Sequence, residues 1–289
     1  MAPTDLIVQS PALDKPMIEQ IAAQAQANGV NWISKTAARL YAVDVSDSDI
    51  RSIRTWCDTN GADVAFVDAT ARLADCRVLA MDMDSTLINI ECIDEIAAFA
   101  GLKAEVAEIT ERSMRGEITE FSDSLRLRVG YLEGLDAEVL EQVYQQRLEL
   151  NPGAENLIRV ARSKGIKTLL VSGGFTFFTD RLKQRLELDA AFANTLEVDG
   201  NNRLTGRVEG RIVDAQGKAD LLAEFAARHS AKPEQIIAIG DGANDLKMLG
   251  MAGYAVAYRA KPVVREQARY ALNVSPLDAI LHWFTDGNN

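Results

Sequence analysis

The sequence predicts an α/β protein: a doubly wound parallel sheet with an inserted helical cap, preceded by a small α+β domain. Three observations carry this reading. From residue 76 onward, short apolar runs that end in polar clusters alternate with helical patterns, as parallel strands joined by crossover helices do. Between Ile93 and about Leu150 the alternation gives way to helical apolar spacing with no strand signal, which reads as an inserted cap at about 93–150. Residues 1–75 have a strand and helix order of their own and carry no chemical cluster.

In the small domain, Leu6-Ile7-Val8 is a short strand, and Asp14 to Asn28 is a helix closed by Asn28-Gly29. Arg39 to Val45 alternates apolar and polar residues, as a half-buried strand should. Ser46 to Asn60 is a second helix that ends at Asn60-Gly61, and Ala62 to Val67 is a strand. This β-α-β-α-β series predicts a two-layer sandwich. In the domain covering 76–289, Val78–Met81 is the first strand. Asn151-Pro152-Gly153 is a strong turn, and Ala154–Lys164 is an amphipathic helix. Lys167–Val171 is a strand ending at Ser172-Gly173-Gly174. Asp199-Gly200-Asn201-Asn202 turns a hairpin between Thr195–Val198 and Arg203–Val208. A helix runs from Lys218 to His229, and the strand Ile236–Ile239 ends at Gly240-Asp241-Gly242.

Composition narrows the chemistry. With 289 residues, 47% hydrophobic and 25% charged, the chain is an ordinary globular one of one large or two modest domains. Its formal charge of −11 argues against nucleic acid as a partner, since that binding rests on basic surface. No apolar run is long enough to span a bilayer, and no signal peptide is evident, so no membrane partner is expected. Cys57, Cys76 and Cys92 form no Cys-x-x-Cys pair, which suggests reduced thiols and a cytoplasmic protein. The two histidines, His229 and His282, border no motif, so catalysis must lean on carboxylates, hydroxyls and lysine.

Three strand ends supply those groups: Asp82-Met83-Asp84-Ser85-Thr86, Ser172-Gly173, and Asp241 with Asn244 and Asp245. Parallel strands bring them to the carboxyl edge of the sheet, where open α/β sheets bind ligands. Two carboxylates two residues apart can divide the labour, one attacking as a nucleophile and the other moving protons. Asp82 comes first after the strand, which favours it as the attacking group. Carboxylates for a hard cation, a hydroxyl, backbone N–H groups and the ammonium of Lys218 make an inventory suited to phosphoryl transfer.

Asp-x-Asp-x-Thr, Ser-Gly-Gly, Lys and Gly-Asp-Gly-x-Asn-Asp in this order resemble the phosphatases of the haloacid dehalogenase superfamily, over roughly residues 76–280. The resemblance implies a Rossmann-like catalytic domain. It also implies that Asp82 is the nucleophile and forms an aspartyl phosphate, and that Asp84 is the general acid and base. Ser172, the Gly173 N–H and Lys218 then hold the phosphoryl group. Asp82, Asp241 and the Asp84 carbonyl bind Mg²⁺, Asn244 and Asp245 support the phosphate, the metal shell and Lys218, and Thr86 is a further supporting residue. The stretches Leu87–Glu91, Ser113–Gly116 and Leu125–Val129 resemble the phosphoserine phosphatase family. By that likeness Glu91 meets the substrate ammonium and Arg128 its carboxylate, with Met114 and Phe121 beside them. The chemistry agrees, because a zwitterion needs one acid and one base with a fork geometry. Glu117-Ile118-Thr119-Glu120, between Gly116 and Phe121, is one residue longer than the family's usual spacing.

The implied activity is Mg²⁺-dependent hydrolysis of O-phospho-L-serine to L-serine and phosphate, the last step of serine biosynthesis. The alternative is a related phosphatase or phosphotransferase acting on another small phosphate ester. Residues 1–75 resemble a degenerate form of the small amino-acid-binding (ACT-like) domain that precedes the catalytic part in many bacterial phosphoserine phosphatases. A regulatory or dimer-forming role for them makes a homodimer one expectation.

Overall fold

The structure is a computed structural model that describes residues 3–114 and 117–287, without the side chains of 113 and 114. The small domain comprises β1 (Thr4–Gln9), α1 (Lys15–Gln24), β2 (Gly29–Ser34), β3 (Ala37–Tyr41), α2 (Asp47–Thr59) and β4 (Asp63–Asp68). Its strands lie in the order β2-β3-β1-β4 with every neighbour antiparallel, the ferredoxin-like β-α-β-β-α-β arrangement. Local sequence sets both helix starts. The Asp14 side chain accepts the Met17 N–H at the head of α1, and Ser46 and Asp49 form a reciprocal capping box on α2. Leu6, Val8, Ala38 and Leu40 on the sheet bury against Ile18, Ile21 and Ile53 of the helices.

The sequence reading missed β2. The first helix stops at Gln24 rather than Asn28, Gln26 turns left-handed at φ 49°, and the chain re-enters the sheet at Gly29. As an edge strand β2 leaves Val30 and Trp32 exposed, so it lacks the alternation that marks a half-buried strand.

The chain continues through β5 (Val78–Met81), α3 (Cys92–Phe99), α4 (Lys103–Met114), α5 (Phe121–Gly130), α6 (Glu138–Gln146) and α7 (Ala154–Ser163). There follow β6 (Lys167–Phe175), α8 (Thr176–Leu186), β7 (Ala190–Val198), β8 (Leu204–Glu209), α9 (Ala215–Arg228), β9 (Ile236–Gly240) and α10 (Leu246–Leu249). The last elements are β10 (Tyr254–Tyr258), α11 (Pro262–Gln267) and β11 (Tyr270–Leu272). The larger sheet has the order β11-β10-β9-β5-β6-β7-β8. β9, β10 and β11 pair in parallel, as do β6 and β7, and β8 closes one edge as an antiparallel hairpin. The region expected to be a cap is helical: α3, α4, α5 and α6.

Two compact units divide within β5. One comprises Met1–Leu79, Pro152–Lys167 and His229–Asn289, and the other comprises Ala80–Asn151 and Thr168–Arg228. In the first, the small sheet is hydrogen-bonded to the C-terminal segment. Asp63 accepts from the amides of Asn273, Val274 and Ser275 at 2.7–3.1 Å. The Gln9 amide group donates to the Ala279 carbonyl and accepts from the Trp283 indole. The buried Arg39 guanidinium pairs with Asp5 at 3.0 Å and donates to the His282 carbonyl.

Candidate active site

One turn, the end of a strand and one helix build the site in the second unit. After β5 the chain passes through a single turn, 83–87, in which Ser85 adopts φ 55°, a costly conformation for a residue with a Cβ. The turn aims Asp82 and Asp84 separately. Asp82 is buried, and its Oδ1 accepts the Met83 N–H at 2.7 Å and meets Lys218 Nζ at 2.7 Å. Lys218 is itself fully buried, so the ion pair offsets part of the cost of taking both charges out of water. The lysine does not begin its helix, as the sequence reading had it. α9 starts at Ala215, because Asp214 caps it: its Oδ1 accepts the Gly217 N–H at 2.8 Å and its carbonyl accepts the Lys218 N–H at 2.9 Å.

Asp84 Oδ1 accepts the Cys92 N–H at 3.0 Å, and its Oδ2 lies 3.5 Å from the Ser172 hydroxyl. Burial, then the neighbouring Glu91 charge, push the Asp84 carboxyl up to about 7, against the opposing effects of the Cys92 hydrogen bond and Lys218. Such a carboxyl can both give and take a proton near neutrality.

Ser172 and Gly173 lie within β6 rather than beyond it, since β6 continues to Phe175. Ser172 is fully buried, and its Oγ accepts the Gly174 N–H at 2.8 Å. A Cβ on Gly174 would come within 2.5 Å of Asp84 Oδ2 and 3.0 Å of Ser172 Oγ. The sequence reading quoted Gly174 only within the Ser-Gly-Gly motif that ends the strand, but the close approach of Asp84 to β6 requires it. A Cβ on Gly173 would meet the Phe121 ring at 2.9 Å, which puts that ring directly over the glycine.

The residues expected to read the rest of the substrate sit on the helical region. Glu91 is exposed at the head of α3 and accepts the Ser85 hydroxyl at 2.6 Å. Arg128 is half-buried on α5, and its Nε donates to the Ser124 carbonyl at 3.3 Å. Burial holds its guanidinium below the ordinary arginine value, partly offset by Asp94, Glu91 and Asp84. Asp94 was not singled out from sequence, since one acid in the first turn of a helix is unremarkable. Arg126, two residues earlier on the same helix, is exposed and pairs with exposed Asp123 at 3.3 Å. Thr86 is buried, and its carbonyl accepts from the Asn151 amide at 2.9 Å. The Met114 side chain lies outside the described residues.

In the first unit, Asp245 is fully buried in the turn after β9. Its Oδ2 accepts the N–H groups of Asp241 and Gly242 at 3.1 and 3.0 Å. Asn244 is half-buried in the same turn, with its Oδ1 packed against Gly242 so that a Cβ there would clash. Asp241 and Asp245 carry carboxylates in this turn, and Asp82 carries one directly after β5. An all-oxygen set of this kind suits a hard divalent cation.

Residues 79–250 match the haloacid dehalogenase-like hydrolase family. The chain belongs to the haloacid dehalogenase-like hydrolases. Residues 6–52 match a domain of unknown function. This hydrolase is 52% identical over 214 residues to a phosphoserine phosphatase of Polaromonas, a match covering 73% of this chain and 90% of the relative. A haloacid dehalogenase family hydrolase from Salmonella enterica serovar Typhi superposes with a TM-score of 0.90 at 32% identity, covering 99% of both chains. Two phosphoserine phosphatase structures, one with bound substrate and one a phospho-aspartyl intermediate analogue, each match with a TM-score of 0.67 at 38% identity. Each match covers 73% of this chain and 99% of theirs. Among the described residues, no helix is long and apolar enough to cross a membrane.

Proposed function

We propose that this hydrolase cleaves O-phospho-L-serine to L-serine and phosphate through an aspartyl phosphate on Asp82. The observation that carries the reading is the buried Asp82–Lys218 pair beside Asp84, a second carboxyl that burial and Glu91 raise to about 7. Asp82 attacks phosphorus, and the bond from phosphorus to the serine oxygen breaks. Protonated Asp84 gives its proton to that oxygen. Asp84, now a carboxylate, takes a proton from water as the water attacks the phosphorus, which frees phosphate and restores Asp82. Ser172, the Gly173 N–H and Lys218 supply donors for the phosphoryl oxygens, with Asn244 in support. The carboxylates of Asp82 and Asp241 and the Asp84 carbonyl would hold Mg²⁺, with Asp245 fixing the turn that carries Asp241. When bound, the ion offsets the negative charge gathered around the phosphoryl group.

Glu91 and Arg128 support phosphoserine over a simpler ester. They offer one acid at the head of α3 and one guanidinium on α5, near enough for the Glu91 charge to act on Arg128, and opposite in charge to the ammonium and carboxylate of the substrate. The test is phosphate release from O-phospho-L-serine with and without EDTA. Release that stops on chelation and returns with Mg²⁺ is expected. Full activity after exhaustive chelation would remove the metal from the account.

A further inference from the structure

We infer that Asn194 is a positioning residue that ties the Gly173 peptide to the helix bearing Lys218. The inference rests on the reading that Ser172, Gly173 and Lys218 hold the phosphoryl group. Asn194 lies on β7 opposite Phe175 of β6 and is 1% exposed. Its Nδ2 donates to the Gly173 carbonyl at 2.8 Å, and its Oδ1 accepts the Val213 N–H at 2.7 Å. One buried amide therefore joins two segments that each carry a phosphate-binding group.

On the first side, the Gly173–Gly174 peptide is held at both ends. Asn194 takes its carbonyl and Ser172 Oγ takes its N–H. Because Ser172 Oγ is occupied as an acceptor, its hydroxyl hydrogen is left to donate, toward Asp84 here and toward a phosphoryl oxygen in a complex. A glycine pair has wide conformational freedom, so without the Asn194 bond this peptide could rotate and release the hydroxyl. On the second side, Val213 directly precedes Asp214, which caps the first turn of α9 and places Lys218. A displacement of this segment moves the lysine toward or away from Asp82. Preorganised donors owe their effect to such fixed placement, and small errors of position cost rate.

Asn194→Asp tests the tie with little change of volume. It keeps an oxygen for the Val213 N–H and replaces the donor to Gly173 with a second oxygen. We expect kcat/KM for O-phospho-L-serine to fall about tenfold or more, and inorganic phosphate and beryllofluoride to bind more weakly by a similar factor. Active-site titration should show an undiminished number of sites, and amide exchange at Gly174 should accelerate. Thr195→Val, which removes only the Thr176–Thr195 hydroxyl contact on the same strand, should keep wild-type turnover. Wild-type kcat/KM and phosphate affinity in Asn194→Asp would overturn the inference. So would a loss of activity that merely tracks a loss of titratable sites. Should the variant not fold, the wild-type exchange pattern decides: Gly174 and Val213 amides that exchange as fast as free peptide would overturn it. If the wild type releases no phosphate from O-phospho-L-serine, the functional reading above fails, while phosphate binding and exchange still judge Asn194.

Discussion

The groups assigned to the phosphoryl end and those assigned to the amino-acid end are built differently. Asp82, Ser172 and Lys218 are buried and joined to one another or to the backbone by bonds of 2.7–2.8 Å. Glu91 and Arg128 are exposed or half-buried on helices, and their bonds to Ser85 and Ser124 stay within their own stretch of chain. The difference matches the work. Charge that develops in a transition state is best met by donors that do not move, whereas a substrate's ends need only be held on arrival. The phosphoryl end should therefore break in kcat and the amino-acid end in KM.

The largest effect is expected from Asp82→Asn. It removes the nucleophile and the carboxylate charge that meets Lys218 at 2.7 Å, so kcat should fall by several decades in steady-state assays. Gly174→Ala should come next. Its Cβ would force Asp84 and Ser172 apart, and we expect kcat to fall about a hundredfold with a modest change in KM. Arg128→Ala should raise KM for O-phospho-L-serine by about 10–100-fold while sparing an ester that lacks a carboxylate. Equal damage on both esters would make Arg128 a structural residue and erase the contrast. Glu91→Gln should show the same selectivity with a smaller loss, since the exposed acid is screened by water.

The smallest effect lies far from the chemistry. His282 is largely buried, its Nδ1 is 2.8 Å from the Gln9 amide nitrogen, and burial holds its pKa below the ordinary value. The folded state then binds fewer protons than the unfolded state once pH drops below about 6.5, so stability should decline there. Thermal melts from pH 8 to 5 should show a dependence that His282→Gln weakens, with kcat of the folded enzyme unchanged at neutral pH.

Much of this contrast was legible in the sequence. Asp82, Ser172 and Asp241 announce themselves because each ends an apolar strand, and β-strand periodicity is a local signal. The long helical stretch after Ile93 was equally plain. The missing pieces depend on contacts distant in sequence. Asn194 sits inside a strand with no motif around it, and only the fold brings it to Gly173 and Val213. Gly174 matters because Asp84, 90 residues earlier, packs against it. Edge strand β2 and the terminal β10, α11 and β11 went unread because their runs are short or lack alternation.

The most direct test is to quench the enzyme in acid during turnover of O-phospho-L-serine and map the labile modification by mass spectrometry. The account predicts one phosphoryl group on the peptide containing Asp82, absent in Asp82→Asn and lost once the substrate is exhausted. Turnover with no phosphoryl group on that peptide, or with the group on another residue, would contradict it.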